Sequence, residues 1–327
     1  MVKINDEIDR SKKSQKFSKI NYFKNFYLHS IFWATIVFMN MNSLSAGEVK
    51  PYIKKSPVYK CYKIPEGTVH IDGKLDEECW KNKPVIEFRQ IENGTLPKYQ
   101  SAARIVWDDK YLYIGMELED PNVWGRWGVK DKEIKKQRRK FIIWDSSGLG
   151  SVEIKIMESD PFIKIFLDPD ADRKRYLEFH INVLNNVFDC YLDKDWELVG
   201  AGDPKSKDRW KGWKLLQDSD NWHPEWNCAG LKSATQIYGT LNFPDDRDKG
   251  WSVEVSIPWK SLKDFTKNSC PPQIGDKWKG HLGRAYRTEY RGKKQYWTWP
   301  VIGAVNCHLL NRYGFLIFCG LQREGKQ

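Results

Sequence analysis

From residue 50 onward, apolar and polar positions mostly alternate with a period of two, the signature of strands with one buried face. The stretch 103–107 leads through the polar turn Asp108-Asp-Lys110 into 111–119, a pair that reads as a hairpin. The same alternation predicts strands at 152–156, 162–167, 176–182, 186–191, 234–238, 251–257 and 313–318. Helical pieces are few: 75–80, and 258–262 behind Pro258. Short strands broken by Gly, Pro, Asp and Asn predict an all-β, antiparallel sandwich of jelly-roll type with short helices and long loops at 120–150 and 195–230. No long amphipathic helices separate the strands, so a doubly wound sheet is excluded.

The N-terminal region breaks this pattern. Residues 1–26 carry seven Lys/Arg against three acids, and the apolar run Leu28–Met39 follows, then Ser43, Ser45 and Ala46. A basic lead, a short apolar run and a small-residue site predict an export signal over 1–46. The run is too short for a comfortable span, so no stable membrane span is expected once the signal is removed. The expected location is secreted, periplasmic or cell-surface. The remaining organisation reads as a lead-in at 47–67, one sandwich domain at 68–320 and a tail at 321–327.

Composition sharpens the picture. The 327-residue chain has a formal charge of +11 and 16 Trp, far more indole than a core of this size asks for. Much of the charge lies in Lys130–Lys140, which reads as a solvated face; no nucleic-acid motif accompanies it. Seven Cys without a CxxC pair argue against a thiolate zinc site and leave isolated thiols or one or two disulfides open.

Five fragments occur in an order that resembles the family 9 carbohydrate-binding module. They are Ile71-Asp-Gly-Lys-Leu-Asp-Glu-Glu-Cys-Trp80, Val106-Trp-Asp-Asp-Lys-Tyr-Leu-Tyr-Ile114, the run from Phe166-Leu-Asp-Pro-Asp-Ala-Asp172 to Tyr176-Leu-Glu-Phe-His-Ile-Asn182, Gly250-Trp-Ser-Val-Glu-Val-Ser-Ile-Pro-Trp259, and Tyr296-Trp-Thr-Trp-Pro300 through His308 to Tyr313-Gly314. The resemblance spans 68–318. It implies a β-sandwich that binds sugar without cutting it, alongside secreted glycan-degrading enzymes.

A pyranose offers an apolar CH face and a rim of hydroxyls, so its site needs an aromatic plate and polar side chains. The resemblance assigns the C-terminal plate to Trp299. Trp297 is expected to point away from it, so that one of the two is buried. For the second plate the family position holds Met157, and Trp124, Trp127 and Trp144 are the candidate substitutes. Two family contacts fall on Lys164, where relatives carry Glu, and on His180. Lysine donates to hydroxyls but cannot accept from them, which retunes or abolishes binding; a divergent, structural sandwich is the alternative reading.

Asp168, Asp170 and Asp172 alternate at a strand end and offer hard oxygen ligands of the kind Ca²⁺ takes; family members hold structural calcium. A polar Asx turn explains the same run. Catalysis has no motif to rest on: there is no GxSxG turn, no HExxH, and no defensible carboxylate pair. The sequence therefore reads as a binder and not as an enzyme.

Overall fold

The computed structural model describes residues 56–126, 160–287 and 293–322. The export segment 1–46, the basic run, the expected strand 152–156, Met157, Trp127 and Trp144 lie outside the described residues.

Fourteen strands form one continuous sheet. The first five are β1 (Val58–Lys63), β2 (Ile86–Glu87), β3 (Arg89–Gln90), β4 (Ser101–Trp107) and β5 (Tyr111–Glu119). Next come β6 (Phe162–Asp168), β7 (Lys174–Asn182), β8 (Val187–Lys194) and β9 (Trp222–His223). The last five are β10 (Lys232–Tyr238), β11 (Gly250–Pro258), β12 (Lys277–Tyr286), β13 (Gln295–Trp299) and β14 (Gly314–Leu321). Two short helices are present among the described residues, α1 (Arg209–Leu216) and α2 (Trp259–Leu262).

The main path runs β10-β11-β5-β4-β1-β14-β12-β6-β7-β8-β9. Pairing is antiparallel except at β1, which lies parallel to both β14 and β4. Strands from the two ends of this path share one core: Ile114, Met116, Val253 and Val255 pack in the same cluster as Ile163, Ile165, Phe179 and Ile181. A sheet whose distant strands bury the same cluster has folded over into two layers, with β1 and β14 at the fold. A second cluster covers the outer face of β6–β8: Phe166, Tyr176 and Phe188 pack beneath Trp196, Leu216, Ile302 and Tyr313. Both faces of these strands are therefore buried.

The fragments that punctuate the sequence meet around two carboxylates. Glu254 in β11 accepts hydrogen bonds from the amides of Asp72 (3.1 Å) and Gly73 (2.9 Å) and from the indole Nε1 of Trp80 (3.0 Å). Asp108 accepts from the amides of Lys110 (2.7 Å) and Tyr111 (2.8 Å) and from the Tyr113 hydroxyl (2.9 Å), which closes the β4–β5 turn. Residues 75–80, expected to be helical, form no helix: 75 and 76 are irregular and turns follow at 78–82, with the amides of Trp80 and Lys81 bonded to the carbonyls of Glu77 and Glu78. The pull of Glu254 on the Trp80 indole fixes this geometry. Gly73 (φ +91°) belongs here as well, because a Cβ would come within 2.6 Å of the Thr235 backbone.

All seven Cys are free thiols, five of them buried and Cys270 and Cys319 partly exposed. This is the isolated-thiol arrangement, with burial pushing Cys228 up to about 12 and Cys270 to about 11.

Candidate functional site

The expected site residues fall on two different faces. Register decides this, because directly paired residues of neighbouring strands point to the same side. Lys164 pairs with His180 on β7 and with Gly283 on β12, and Gly283 pairs with Thr298 on β13. The neighbouring pairs put Phe166, Glu178, Cys190 and His281 on that same outer face. Trp299 pairs with Leu282, and Leu282 with Ile165, whose side chains belong to the core between the layers.

Trp297 and Trp299 consequently share a face, contrary to the expectation that they diverge. The reason is the strand period itself: residues two apart point the same way, and it is Thr298 between them that faces Lys164. Trp297 is fully buried, stacked on Tyr286 with centroids 4.9 Å apart. Trp299 is half-buried, edge-on to Tyr59 at 6.3 Å, and lies so close to Gly314 that a Cβ there would come within 2.6 Å of the ring. Trp124 is 5% exposed, and its Nε1 donates to the Arg287 carbonyl at 3.1 Å.

On the outer face a compact polar group forms. Glu178 lies 2.6 Å from Nε2 of His180 and 4.0 Å from Nζ of Lys164. The Cys190 thiol sits 3.7 Å from its other oxygen. His180 stacks on Phe162 at 5.2 Å, and His281 stacks on Tyr313 at 5.2 Å. His308 meets the Tyr176 hydroxyl at 2.8 Å through Nδ1. His281 is fully buried, and neither of its ring nitrogens has a hydrogen-bond partner.

Burial works to raise the Glu178 carboxyl, but His180, His308 and Lys164 outweigh it and hold the group well below the usual carboxylate range. Burial, reinforced by Lys164 and by a neighbouring imidazole (His308 for His281, His180 for His308), lowers His281 to about 3 and His308 to about 4, so both rings are neutral near pH 7. The group thus combines an ionised carboxylate, an ammonium and neutral imidazoles, of which only Lys164 is more than marginally exposed. An ionised Glu178 cannot serve as the protonated acid a glycosidase requires.

The sequence pointed to Lys164 and His180, which the structure brings together, while Trp299 stands on the other face. It did not single out Glu178 or His281 for this cluster. Glu178 lay inside the recognised run 176–182, and the period of two would have placed it beside His180.

The aspartate run does not form a cation cage. Asp168 is buried, and one of its oxygens accepts from the Arg173 amide at 3.0 Å. Asp170 turns to the 266–268 loop, where it accepts from the Thr266 hydroxyl (2.6 Å) and the Lys267 amide (3.1 Å). Asp172 pairs with Lys267 at 3.2 Å. Among the described residues no three His, Cys, Asp or Glu side chains gather as metal ligands. The contacts of the three carboxylates anchor a turn and a loop.

Burial lifts Asp168 to about 7. Unfolded, it titrates near 4. Between those values the unfolded chain releases a proton that the folded chain keeps, so stability falls as pH rises from about 4 to about 7 and is level above. Asp168→Asn removes that penalty. Denaturant melts at pH 8 should show the variant gaining about 2–4 kcal/mol, with little difference at pH 4; a gain at pH 4 alone would contradict this account.

Trp210, in α1, is the exposed indole of the described residues, at 46%. Sequence reasoning missed it, because the 195–230 loop carries no periodicity to mark a face.

Two solved structures similar to this chain are of a carbohydrate binding module family 9 from Caldicellulosiruptor kristjanssonii. One is in complex with cellotriose (15% identity, covering 81% of this chain and 95% of that one, TM-score 0.45). The other is in complex with glucose (15% identity, 82% and 100%, TM-score 0.42). No curated protein matches the chain. The family that the sequence resembles is also the one whose model it matches: residues 71–146 match "Carbohydrate family 9 binding domain-like".

Proposed function

We propose that this chain binds carbohydrate without catalysing its cleavage. The observation that carries the reading is the match of residues 71–146 to a carbohydrate-binding family. The similar modules were solved with cellotriose and glucose, so an oligosaccharide or its end is the natural ligand class to test. The outer-face group around Glu178 supplies both donors and acceptors, and Lys164, with a side chain 12% exposed, is its accessible edge. The basic, then apolar, then small-residue start supports a role outside the cytoplasm, where the protein assists secreted enzymes in degrading polysaccharide.

A glycan array on the full chain tests this. Lys164→Ala should weaken retention about 5- to 30-fold, the scale of one or two hydrogen bonds to a charged donor, with the melting temperature kept. Trp299→Ala separates the faces: if sugar stacks on that half-buried indole, this variant loses about 1–3 kcal/mol and Lys164→Ala loses nothing. A second reading, a sandwich that has lost its sugar site, is favoured by the near-complete burial of His180 and by the separation of Trp299 from Lys164. An array without signal for the folded wild type would select it.

A further inference from the structure

The helix α1 presents two different faces. Gly212 and Leu216 are buried and Trp213 is half-buried, packing edge-on to Trp196 at 5.3 Å and to His308 at 5.3 Å. Gly212 is required for this docking, since a Cβ would come within 2.6 Å of the Trp196 ring. The opposite face carries Trp210, Lys211, Lys214 and Leu215, all exposed. The ammonium of Lys214 stands 5.0 Å from the Trp210 ring centroid and that of Lys211 5.7 Å. Around the helix, Lys205, Lys207 and Arg209 are exposed too, against the exposed acids Asp203, Asp208, Asp218 and Asp220.

We propose that this face of α1 is a docking site for anionic polysaccharide, a chain bearing uronate or sulfate groups. An exposed indole suits the CH face of a pyranose, whereas an exposed indole in a core-forming role has no explanation. Two ammonium groups lie over the same ring, with that of Lys211 also 4.0 Å from Asp208, and both can turn to a carboxylate or sulfate carried by that sugar. A lipid surface fits less well. Eight residues make a helix of about 12 Å, and a single indole with one leucine offers little apolar area to a bilayer. The inner side of α1 packs over the outer face that carries Lys164, but its exposed side holds none of the Lys164–Glu178 group.

The test uses the full chain in affinity electrophoresis through gels containing polygalacturonate or, in parallel, a neutral cellulose derivative. Polygalacturonate should retard the wild type, and added salt should reduce the retardation. Trp210→Ala and Lys211→Ala/Lys214→Ala should each weaken that binding at least about ten-fold with unchanged melting temperature, while Lys164→Ala should leave it intact. Absence of retardation by polygalacturonate overturns the proposal, as does wild-type binding by Trp210→Ala. Co-sedimentation with phosphatidylserine vesicles in place of polygalacturonate binding would also overturn it. Because Lys164 and Trp210 belong to different groups of side chains, loss of neutral-glycan binding and loss of this site are read independently.

Discussion

Replacing Arg284 by Met is expected to destabilise the fold by about 3–5 kcal/mol, the range measured when one partner of a buried ion pair is removed. Arg284 is 1% exposed and Asp120 fully buried, and their nearest atoms are 2.9 Å apart. The same guanidinium donates to the Glu119 carbonyl at 2.7 Å and to the Ser101 hydroxyl at 3.1 Å, while its plane lies 5.0 Å from Trp297 and 5.1 Å from Tyr286. It thus ties β12 to the start of β4 and the end of β5, across the two layers. Methionine fills part of the volume but leaves Asp120 uncompensated. Burial already lifts that carboxyl to about 6 despite Arg284, and without the cation it rises further. In the wild type the folded group gives up its proton near 6, and in the variant only at higher pH, so the variant's deficit should grow as pH rises above about 6. Thermal melts at pH 5 and pH 8 would show this, and Asp120→Asn in the same chain should recover much of the loss. A deficit that is constant with pH would mean that lost packing, and not the stranded charge, dominates.

Glu254→Ala should be nearly as costly, about 3–4 kcal/mol. Three donors, the amides of Asp72 and Gly73 and the Trp80 indole, lose their acceptor at once, and buried donors left unsatisfied cost about 1–3 kcal/mol each without adding fully. Hydrogen exchange at the Gly73 amide should accelerate in step with the fall in denaturation midpoint. Glu254→Gln keeps one acceptor oxygen and should lose about half as much. Equal losses for both variants would mean that the charge, and not the acceptor geometry, holds the turn.

The strand 111–119 coincides with β5, where exposed Glu117 and Glu119 mark the outward side. The stretches 162–167 and 176–182 fall within β6 and β7 although both faces of those strands are buried, because their β-branched and aromatic residues still mark them as strands. The sequence was silent on β12. That strand is buried on both sides, and its residues look unlike a strand: Gly280 leaves room for Leu316, which would lie 2.7 Å from a Cβ, and Arg284 and His281 are charged or polar but enclosed. Helix α1 escaped notice for a related reason. Its inward residues are Gly212, Leu216 and the half-buried Trp213, while Trp210 and Leu215 stand outside among the basic residues, so no clean apolar stripe announces it. Within the candidate site, fragment order located Lys164 and His180, while register was needed to show that Trp299 belongs to the other side.

The two parallel pairings of β1 have a consequence for synthesis. Val58 is registered with Phe315, and only Tyr62 and Lys63 reach β4. As the polypeptide emerges, its first strand finds little to hold until β14 arrives, so closure of the bilayer waits on the last strand to appear, and a ribosome-bound intermediate would carry an open seam between β4 and β12.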